Sequence, residues 1–74
     1  MNRIKQVLEQ RGVTQILLAH KLGKSYNMVN SYAQNRRQPS IETLFRIAEI
    51  LNVEAAELLV KKSELKKKKT KILH

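Results

Sequence analysis

Side chains that both donate and accept hydrogen bonds are concentrated between residues 25 and 34. The stretch contains no charged residue and holds five amide or aliphatic-hydroxyl side chains of this kind: Ser25, Asn27, Asn30, Ser31 and Gln34. Base pairs present donors and acceptors in the DNA major groove, and an amide can form two hydrogen bonds with adenine. An exposed helical face of this kind is therefore suited to hydrogen-bond readout of bases. Simple exposure to solvent is the alternative.

Positive charge surrounds this neutral stretch. Lys24 precedes it, and Arg36 and Arg37 follow it in a turn. Phosphate contacts position a protein on DNA, whereas base contacts give sequence specificity. An uncharged reading face with basic neighbours is consistent with that division, and Gln15, Lys24 and the two arginines are candidates for the phosphate contacts.

The net charge of +9 is unevenly distributed along the 74 residues. Residues 1–60 carry eight Lys or Arg against five Glu, a net charge of +3, whereas residues 61–74 carry seven Lys against one Glu, a net charge of +6. We therefore predict a domain over residues 1–60 and a lysine-rich tail over residues 61–74. The tail is suited to a polyanion, either nucleic acid or an anionic membrane surface, or it only keeps the protein soluble.

Size and composition argue against several other functions. A chain this short buries only about 60% of the surface that it exposes when unfolded, which leaves little room for an enzyme pocket. No cysteine is present to form a disulfide or a thiolate zinc site, and His20 and His74 are far apart in sequence. The sequence contains neither the apolar run of a membrane span nor that of a signal peptide. We expect a cytoplasmic protein that is not an enzyme and uses no cofactor or metal.

The spacing of apolar residues predicts an all-α fold of five short helices. They are predicted over residues 2–11, 15–22, 26–34, 41–51 and 54–59. Hydroxyl N-caps precede three of them, at Thr14, Ser25 and Ser40. Residues that tolerate a left-handed backbone follow four of them, at Gly12, Gly23, Asn35 and Asn52. The predicted core consists of Ile4, Val7, Leu8, Leu18, Ala19, Leu22, Val29, Tyr32, Leu44, Phe45, Ile47, Ala48, Leu51, Val53, Leu58 and Leu59.

The second and third predicted helices have the spacing of a helix-turn-helix. A small residue at Ala19 lets the two helices approach closely, Gly23 permits a tight turn, and Val29 fixes the pair against the core. An ordinary helical hairpin without a role in DNA binding is the alternative. The combination of this spacing with the basic turn and Pro39 favours the helix-turn-helix.

The chain resembles the Cro and phage-repressor type of helix-turn-helix, the XRE family of bacterial regulators. The resemblance covers about residues 2–60 and rests on the pattern TQ…LAHKLGKS…MV…Y followed by NRRQPSIETLFRIAEILNV…ELL. It implies a compact, lambda-repressor-like domain of five helices, in which the third helix lies in the major groove of DNA.

The resemblance also implies which residues contact DNA. The implied base-facing residues are Tyr26, Asn27, Asn30 and Ser31. The expected phosphate contacts are Gln15, Lys24, Ser25, Asn35, Arg36 and Arg37. Tyr26 could contact a thymine methyl or a phosphate, or it could pack on its own helix, and both interpretations stay open.

Several positions depart from the family pattern. Lys24 stands where an apolar residue is often found, Ala33 where an acidic residue is common, and Asn35 where glycine is frequent. Ile16 and Leu17 occupy positions that are usually polar. They could enlarge the core together with the first helix, or they could form a contact patch.

We therefore expect a sequence-specific transcriptional regulator, a repressor or autoregulator, that binds a near-palindromic operator in double-stranded DNA as a homodimer. The expected dimer surface is the fifth helix with the end of the fourth, through Ile50, Leu58, Leu59 or Val60. An antitoxin-like or other protein-interaction module with the same fold is the alternative. A lipid anchor in the tail is a further possibility, but two terminal apolar residues, Ile72 and Leu73, provide little insertion energy, so we expect no membrane partner.

Overall fold

The computed structural model describes residues 2–59, which form four α-helices and one 3₁₀ helix. The helices span Ile4–Arg11 (α1), Gln15–Leu22 (α2), Tyr26–Ala33 (α3) and Ile41–Leu51 (α4), and the 3₁₀ helix spans Ala55–Leu58. The all-α prediction is confirmed. The predicted tail over residues 61–74 lies outside the described residues.

Three helices begin at the hydroxyl residue predicted for them. In each case the hydroxyl oxygen accepts a hydrogen bond from the backbone N–H three residues later, as an N-cap does. The donor–acceptor distances are 3.1 Å at Thr14, 3.1 Å at Ser25 and 3.2 Å at Ser40. α2, α3 and α4 are therefore started by local sequence signals.

Left-handed residues follow the four α-helices at the predicted positions. The φ angles are 67° at Gly12, 70° at Gly23, 61° at Asn35 and 57° at Asn52. A Cβ atom built on Gly23 would meet no atom within 4 Å. Glycine is therefore favoured between α2 and α3 by its backbone conformation and not by a lack of space.

The core lies between α1, α2, α3 and α4, and the 3₁₀ helix closes it against α1 and α4. Five of its side chains are almost completely removed from solvent: Ile4, Leu18, Val29, Ile47 and Leu58. α2 packs against both α3 and α4, while α1 packs against α3 and α4. α3 is consequently held in a fixed orientation by two neighbouring helices.

Two predictions about the core are wrong. Phe45 is 58% exposed and Leu59 is 43% exposed. Phe45 lies beside the buried stripe of α4 rather than on it, because one residue turns the helix by about 100° away from Leu44. Leu59 follows the end of the 3₁₀ helix in an extended conformation, with φ −106° and ψ 151°, so its side chain does not continue the buried face that Leu58 begins.

The fifth helix is a 3₁₀ helix of four residues instead of the longer helix predicted over residues 54–59. A capping box starts it, in which the N–H of Glu54 donates to the Glu57 carboxylate at 2.9 Å. It ends after one turn because the chain becomes extended at Leu59, where it forms an antiparallel bridge with Asn2. The Leu58 carbonyl there accepts a hydrogen bond from the N–H of Arg3 at 2.7 Å.

The N-terminal end of α1 also differs from the prediction. The helix begins at Ile4 and not at residue 2, and Asn2 lies in the contact with Leu59. Asn2 is only 5% exposed although its side chain is polar. The N-terminal segment is thus part of the packed structure.

Candidate nucleic-acid interface

α3 presents an uncharged polar face outside the core. Val29, Tyr32 and Ala33 are its buried residues. Among the predicted base-facing residues, Tyr26 and Asn27 are exposed, and Asn30 and Ser31 are half-buried. All four therefore lie outside the buried stripe of α3.

The polar side chains on this face differ in whether they already form hydrogen bonds within the protein. Within residues 2–59, the side-chain amides of Asn27 and Asn30 form no hydrogen bond, so their donors and acceptors are available to a ligand. Ser31 donates its hydroxyl hydrogen to the Asn27 carbonyl at 3.0 Å and keeps only its acceptor function. The two asparagines therefore have the greatest capacity for recognition.

Tyr26 stands at the first position of α3 and is 48% exposed. Ser25, immediately before it, uses its oxygen to cap the helix through the N–H of Met28. The hydrogen of the Ser25 hydroxyl can still be donated to a phosphate oxygen. The start of α3 thus offers a hydroxyl donor beside an aromatic ring.

Basic residues lie on both sides of α3. Lys24 is half-buried before the helix, whereas Arg36 and Arg37 are exposed after it. The backbone N–H groups of both arginines donate to the Ser31 carbonyl, at 2.9 Å and 3.3 Å. These contacts fold the loop back onto the end of α3. The Arg37 guanidinium reaches back along the helix, where its Nη1 donates to Met28 Sδ at 3.4 Å.

Gln15 is half-buried at the first position of α2. Its Oε1 atom is buried and has no hydrogen-bond partner among the residues that the structure describes. A buried polar atom without a partner is uncommon. Gln15 therefore has hydrogen-bonding capacity that the described residues leave unused.

Asn35 is placed differently from the other predicted phosphate contacts. Its Oδ1 accepts a hydrogen bond from the Asn2 N–H at 2.7 Å, and its Nδ2 donates to the Asn2 carbonyl at 3.3 Å. Its own backbone N–H donates to the Tyr32 carbonyl at 3.1 Å. The backbone N–H of Asn35 and one of its two Nδ2 hydrogens are thus used within the protein, and the phosphate contact expected for it stays a prediction.

The sequence reasoning missed Asn2. Asn2 Oδ1 accepts a hydrogen bond from the N–H of Ile4, two residues later, at 3.1 Å, as in an Asx turn. Asparagine favours such turns over helical positions, which is a local sequence signal. That signal could have placed Asn2 outside α1, but its contact with Asn35 depends on the tertiary fold.

Charge is segregated along the described chain. Residues 10–41 contain five Lys or Arg and no acidic residue, namely Arg11, Lys21, Lys24, Arg36 and Arg37. The glutamates of residues 2–59 lie on either side of this range, at Glu9, Glu42, Glu49, Glu54 and Glu57. The segment that includes α2, α3 and the following loop is therefore the part suited to a polyanion.

Exposed apolar side chains are found at the start of α2. Ile16 is 70% exposed and Leu17 is 43% exposed. Of the two interpretations left open by the sequence, enlargement of the core is therefore excluded for Ile16.

The expected dimer surface also changes, because Leu58 is completely buried and cannot contact a second chain. Val60, another expected member of that surface, lies outside the described residues.

Neither a metal site nor a membrane span is found in the described part of the chain. Residues 2–59 contain no group of three or more His, Asp or Glu side chains that could hold a metal ion. No helix in the same range is long and apolar enough to cross a membrane. His20 is exposed, as expected for a solvated helix face.

Two helices joined by a tight glycine turn, with the second carrying an exposed polar face, define a helix-turn-helix domain. The chain matches the family model described as "Helix-turn-helix" over residues 4–58 and belongs to that family, of the XRE type. The resemblance identified from the sequence is thereby confirmed.

The chain is also similar to individual proteins. It is 32% identical over 72 residues to the "HTH-type transcriptional regulator ImmR" of Bacillus subtilis (strain 168), with 97% of this chain covered. It spans 57% of the length of that relative. It also matches the crystal structure of "a putative DNA-binding protein from Bacteroides fragilis", with a TM-score of 0.78 and 41% identity over 78% of this chain and 94% of that one.

Proposed function

We propose that this chain is a sequence-specific DNA-binding transcriptional regulator that reads the major groove with α3. The observation that carries the proposal is the exposed, uncharged and unpaired amide face of α3 within a basic segment that lacks acidic residues. Membership of the helix-turn-helix family and the similarity to ImmR support it.

The base-reading residues in this proposal are Tyr26, Asn27, Asn30 and Ser31. A recognition helix contacts base edges mainly through its N-terminal residues, and Tyr26 and Asn27 are the first two residues of α3. The amides of Asn27 and Asn30 can each form paired hydrogen bonds with adenine. Ser31 has a single acceptor function and plays a smaller part.

The proposed phosphate contacts come from the residues around α3. Gln15 and Lys24 serve this role on the side of α2, and Ser25 at the N-terminus of α3. Arg36 and Arg37 serve it from the loop that follows α3. These contacts would fix the orientation of the domain on the duplex without selecting a sequence.

We further propose that the protein binds as a homodimer to a near-palindromic operator. Two copies of α3 would then enter the major groove about 34 Å apart, one helical turn of the duplex. Among the described residues, the remaining candidates for the dimer surface are Ile50, which is half-buried, and Leu59, which is 43% exposed.

Selection of bound duplexes from a random DNA library tests the function directly. Enrichment of one sequence is the expected result, and a repeated half-site would give the symmetry and the spacing at the same time. Recovery of the input library without enrichment would show that the protein does not read sequence.

The lysine-rich tail is proposed to add contacts to phosphate that do not depend on sequence. Removal of residues 61–74 should weaken binding to all duplexes alike and reduce the dependence of the affinity on salt concentration. Titrations at several salt concentrations measure this effect. An unchanged salt dependence would mean that these lysines do not contact DNA.

A second candidate function is a protein-interaction module, of which an antitoxin would be one example. The exposed Ile16 and Leu17 favour it, because large apolar side chains at the surface often mark a binding site. Replacement of both by serine should then abolish binding of a partner and leave DNA binding unchanged. Loss of DNA affinity in that variant would instead indicate that this end of α2 is needed at the duplex.

A further inference from the structure

Asn2 is a buried polar residue whose side-chain amide forms hydrogen bonds through both its nitrogen and its oxygen. Its Nδ2 donates to the Tyr32 carbonyl at 3.0 Å and to Gln38 Oε1 at 2.9 Å, while its Oδ1 accepts from the N–H of Ile4. The residue is only 5% exposed. A buried amide with satisfied partners fixes its neighbours in place, because any displacement leaves polar groups unpaired.

Asn35 completes this arrangement from the loop that joins α3 and α4. Its side-chain amide pairs with the backbone N–H and carbonyl of Asn2, at 2.7 Å and 3.3 Å. Gln38 also donates from Nε2 to Asn35 Oδ1 at 3.3 Å. We refer to Asn2, Asn35 and Gln38 as the amide clamp.

The amide clamp holds the segment that carries the exposed arginines. Arg36 and Arg37 lie between its members Asn35 and Gln38, and their backbone N–H groups donate to the Ser31 carbonyl. The short arginine segment is therefore fixed on one side by α3 and on the other by Asn2.

The N-terminal segment is itself anchored to the far side of the domain. The Arg3 N–H donates to the Leu58 carbonyl at 2.7 Å, and Asn2 is paired with Leu59. Asn2 is thus connected to the 3₁₀ helix as well as to the loop, and the clamp rests on the packed core.

Because Asn2 is buried, its side chain cannot itself contact DNA. We propose that Asn2 and Asn35 are positioning residues that hold Arg36 and Arg37 in the orientation required for phosphate contact. Groups that are already ordered before binding lose less conformational entropy on association. This inference rests on the proposed function, since it assigns a role to residues that support the DNA contacts.

Asn35→Gly is the variant that tests the clamp most directly. Glycine adopts a φ of 61° without strain, so the substitution removes the side-chain contacts and leaves the loop conformation accessible. We expect the affinity to fall about tenfold for the selected duplex and for a scrambled duplex, which corresponds to one weakened charged contact. Thermal unfolding of each variant checks that the protein is folded.

Asn52→Gly is the matched control. Asn52 has nearly the same backbone conformation, with φ 57°, but it ends α4 and lies outside the amide clamp. The same substitution there should leave DNA affinity unchanged. Asn2→Ala provides an independent second variant, because it removes the clamp from the other side and should lower affinity in the same way.

A double-mutant cycle separates positioning from a general structural role. If the clamp acts through the arginines, Asn35→Gly should cause no further loss of affinity in the Arg36→Ala/Arg37→Ala protein. An equal loss in both backgrounds would overturn the inference. So would unchanged affinity in folded Asn35→Gly and Asn2→Ala proteins.

Amide hydrogen exchange of the free protein distinguishes failure of the clamp from failure of the proposed function. In Asn35→Gly, but not in Asn52→Gly, the N–H groups of Arg36 and Arg37 should exchange faster. Unchanged exchange would overturn the inference even if DNA binding were demonstrated. Faster exchange without any sequence-selective DNA binding by the wild-type protein would support the clamp and contradict the proposed function.

If Asn35→Gly and Asn2→Ala do not fold, DNA affinity and amide hydrogen exchange are measured on Gln38→Ala instead, because this substitution removes only the Gln38 contacts.

Discussion

At the scale of single residues, Asn27 and Asn35 have the same side chain in opposite surroundings. Asn27 is exposed on α3, and its amide is unpaired within residues 2–59. Asn35 directs its amide into the protein, where it pairs with Asn2. An amide suits either surrounding, and its position decides whether its hydrogen-bonding groups are available to a ligand or used within the fold.

Asn27→Ala should weaken binding to the selected duplex by about 1–3 kcal/mol and relax the preference at one base pair. The expected loss comes from the paired hydrogen bonds that alanine cannot form. Titration of duplexes that carry each base at every position of the half-site measures both effects.

Gln10→Ala is the control for Asn27→Ala, because Gln10 is an exposed amide on α1 outside α3. The DNA affinity of Gln10→Ala should equal that of the wild-type protein. An equal loss for Asn27→Ala on selected and scrambled duplexes would show that Asn27 does not read a base.

Gly23→Ala should destabilise the fold by about 1–2 kcal/mol through its left-handed backbone alone. No atom lies within 4 Å of the added Cβ, and the same holds for Gly12. Gly12→Ala should therefore cost a similar amount, and urea unfolding of both variants measures the difference. A much larger cost at Gly23 would show that the turn depends on a close contact.

At the scale of the elements, α4 shows how a helix can be predicted correctly while one of its residues is misplaced. The predicted range, N-cap and C-terminal asparagine of α4 are all confirmed. Phe45 was assigned to the wrong side, and the burial of Thr43 was not predicted. The limits of a helix depend on local signals, whereas the width of its buried face depends on how many neighbours cover it.

Ile47→Ala should lower the free energy of unfolding by about 2–5 kcal/mol, because Ile47 is completely buried. Phe45→Ala should change it by no more than about 0.5 kcal/mol, since an exposed side chain leaves no cavity. Urea unfolding of both variants measures these changes. A loss above about 2 kcal/mol for Phe45→Ala would mean that this ring is covered in solution, by a second copy or by residues outside 2–59.

At the scale of the whole molecule, basic and acidic residues occupy different parts of the described chain. The basic segment over residues 10–41 includes the proposed reading helix. Glu9 precedes it on α1, and the other four glutamates of residues 2–59 follow it on α4 and at the 3₁₀ helix. Such an arrangement would attract DNA toward α3 and repel it from the α4 side.

Arg36→Ala/Arg37→Ala should weaken binding to all duplexes and reduce the slope of log affinity against log salt by about 0.9 for each phosphate that the variant no longer neutralises. Titrations at several salt concentrations give the slope. Arg46→Ala is the control, because Arg46 is exposed on α4 among glutamates and should not change the slope. An unchanged slope in the double variant would mean that these arginines do not bind phosphate.

The sequence by itself determined the features that depend on neighbouring residues. The hydroxyl caps, the left-handed ends, the helix limits within a few residues and most of the core follow from short-range spacing. The exposed polar face of α3 could be predicted for the same reason, because Val29 and Tyr32 indicate which side of the helix is buried.

The tertiary structure alone decided the features that join distant parts of the chain. Asn2 contacts Asn35 across 33 positions, and no local pattern contains information about such a pair. The exposure of Phe45, the outward position of Leu59 and the shortening of the last helix likewise depend on which neighbours are present. Periodicity shows which residues can share a face, but only packing decides what covers it.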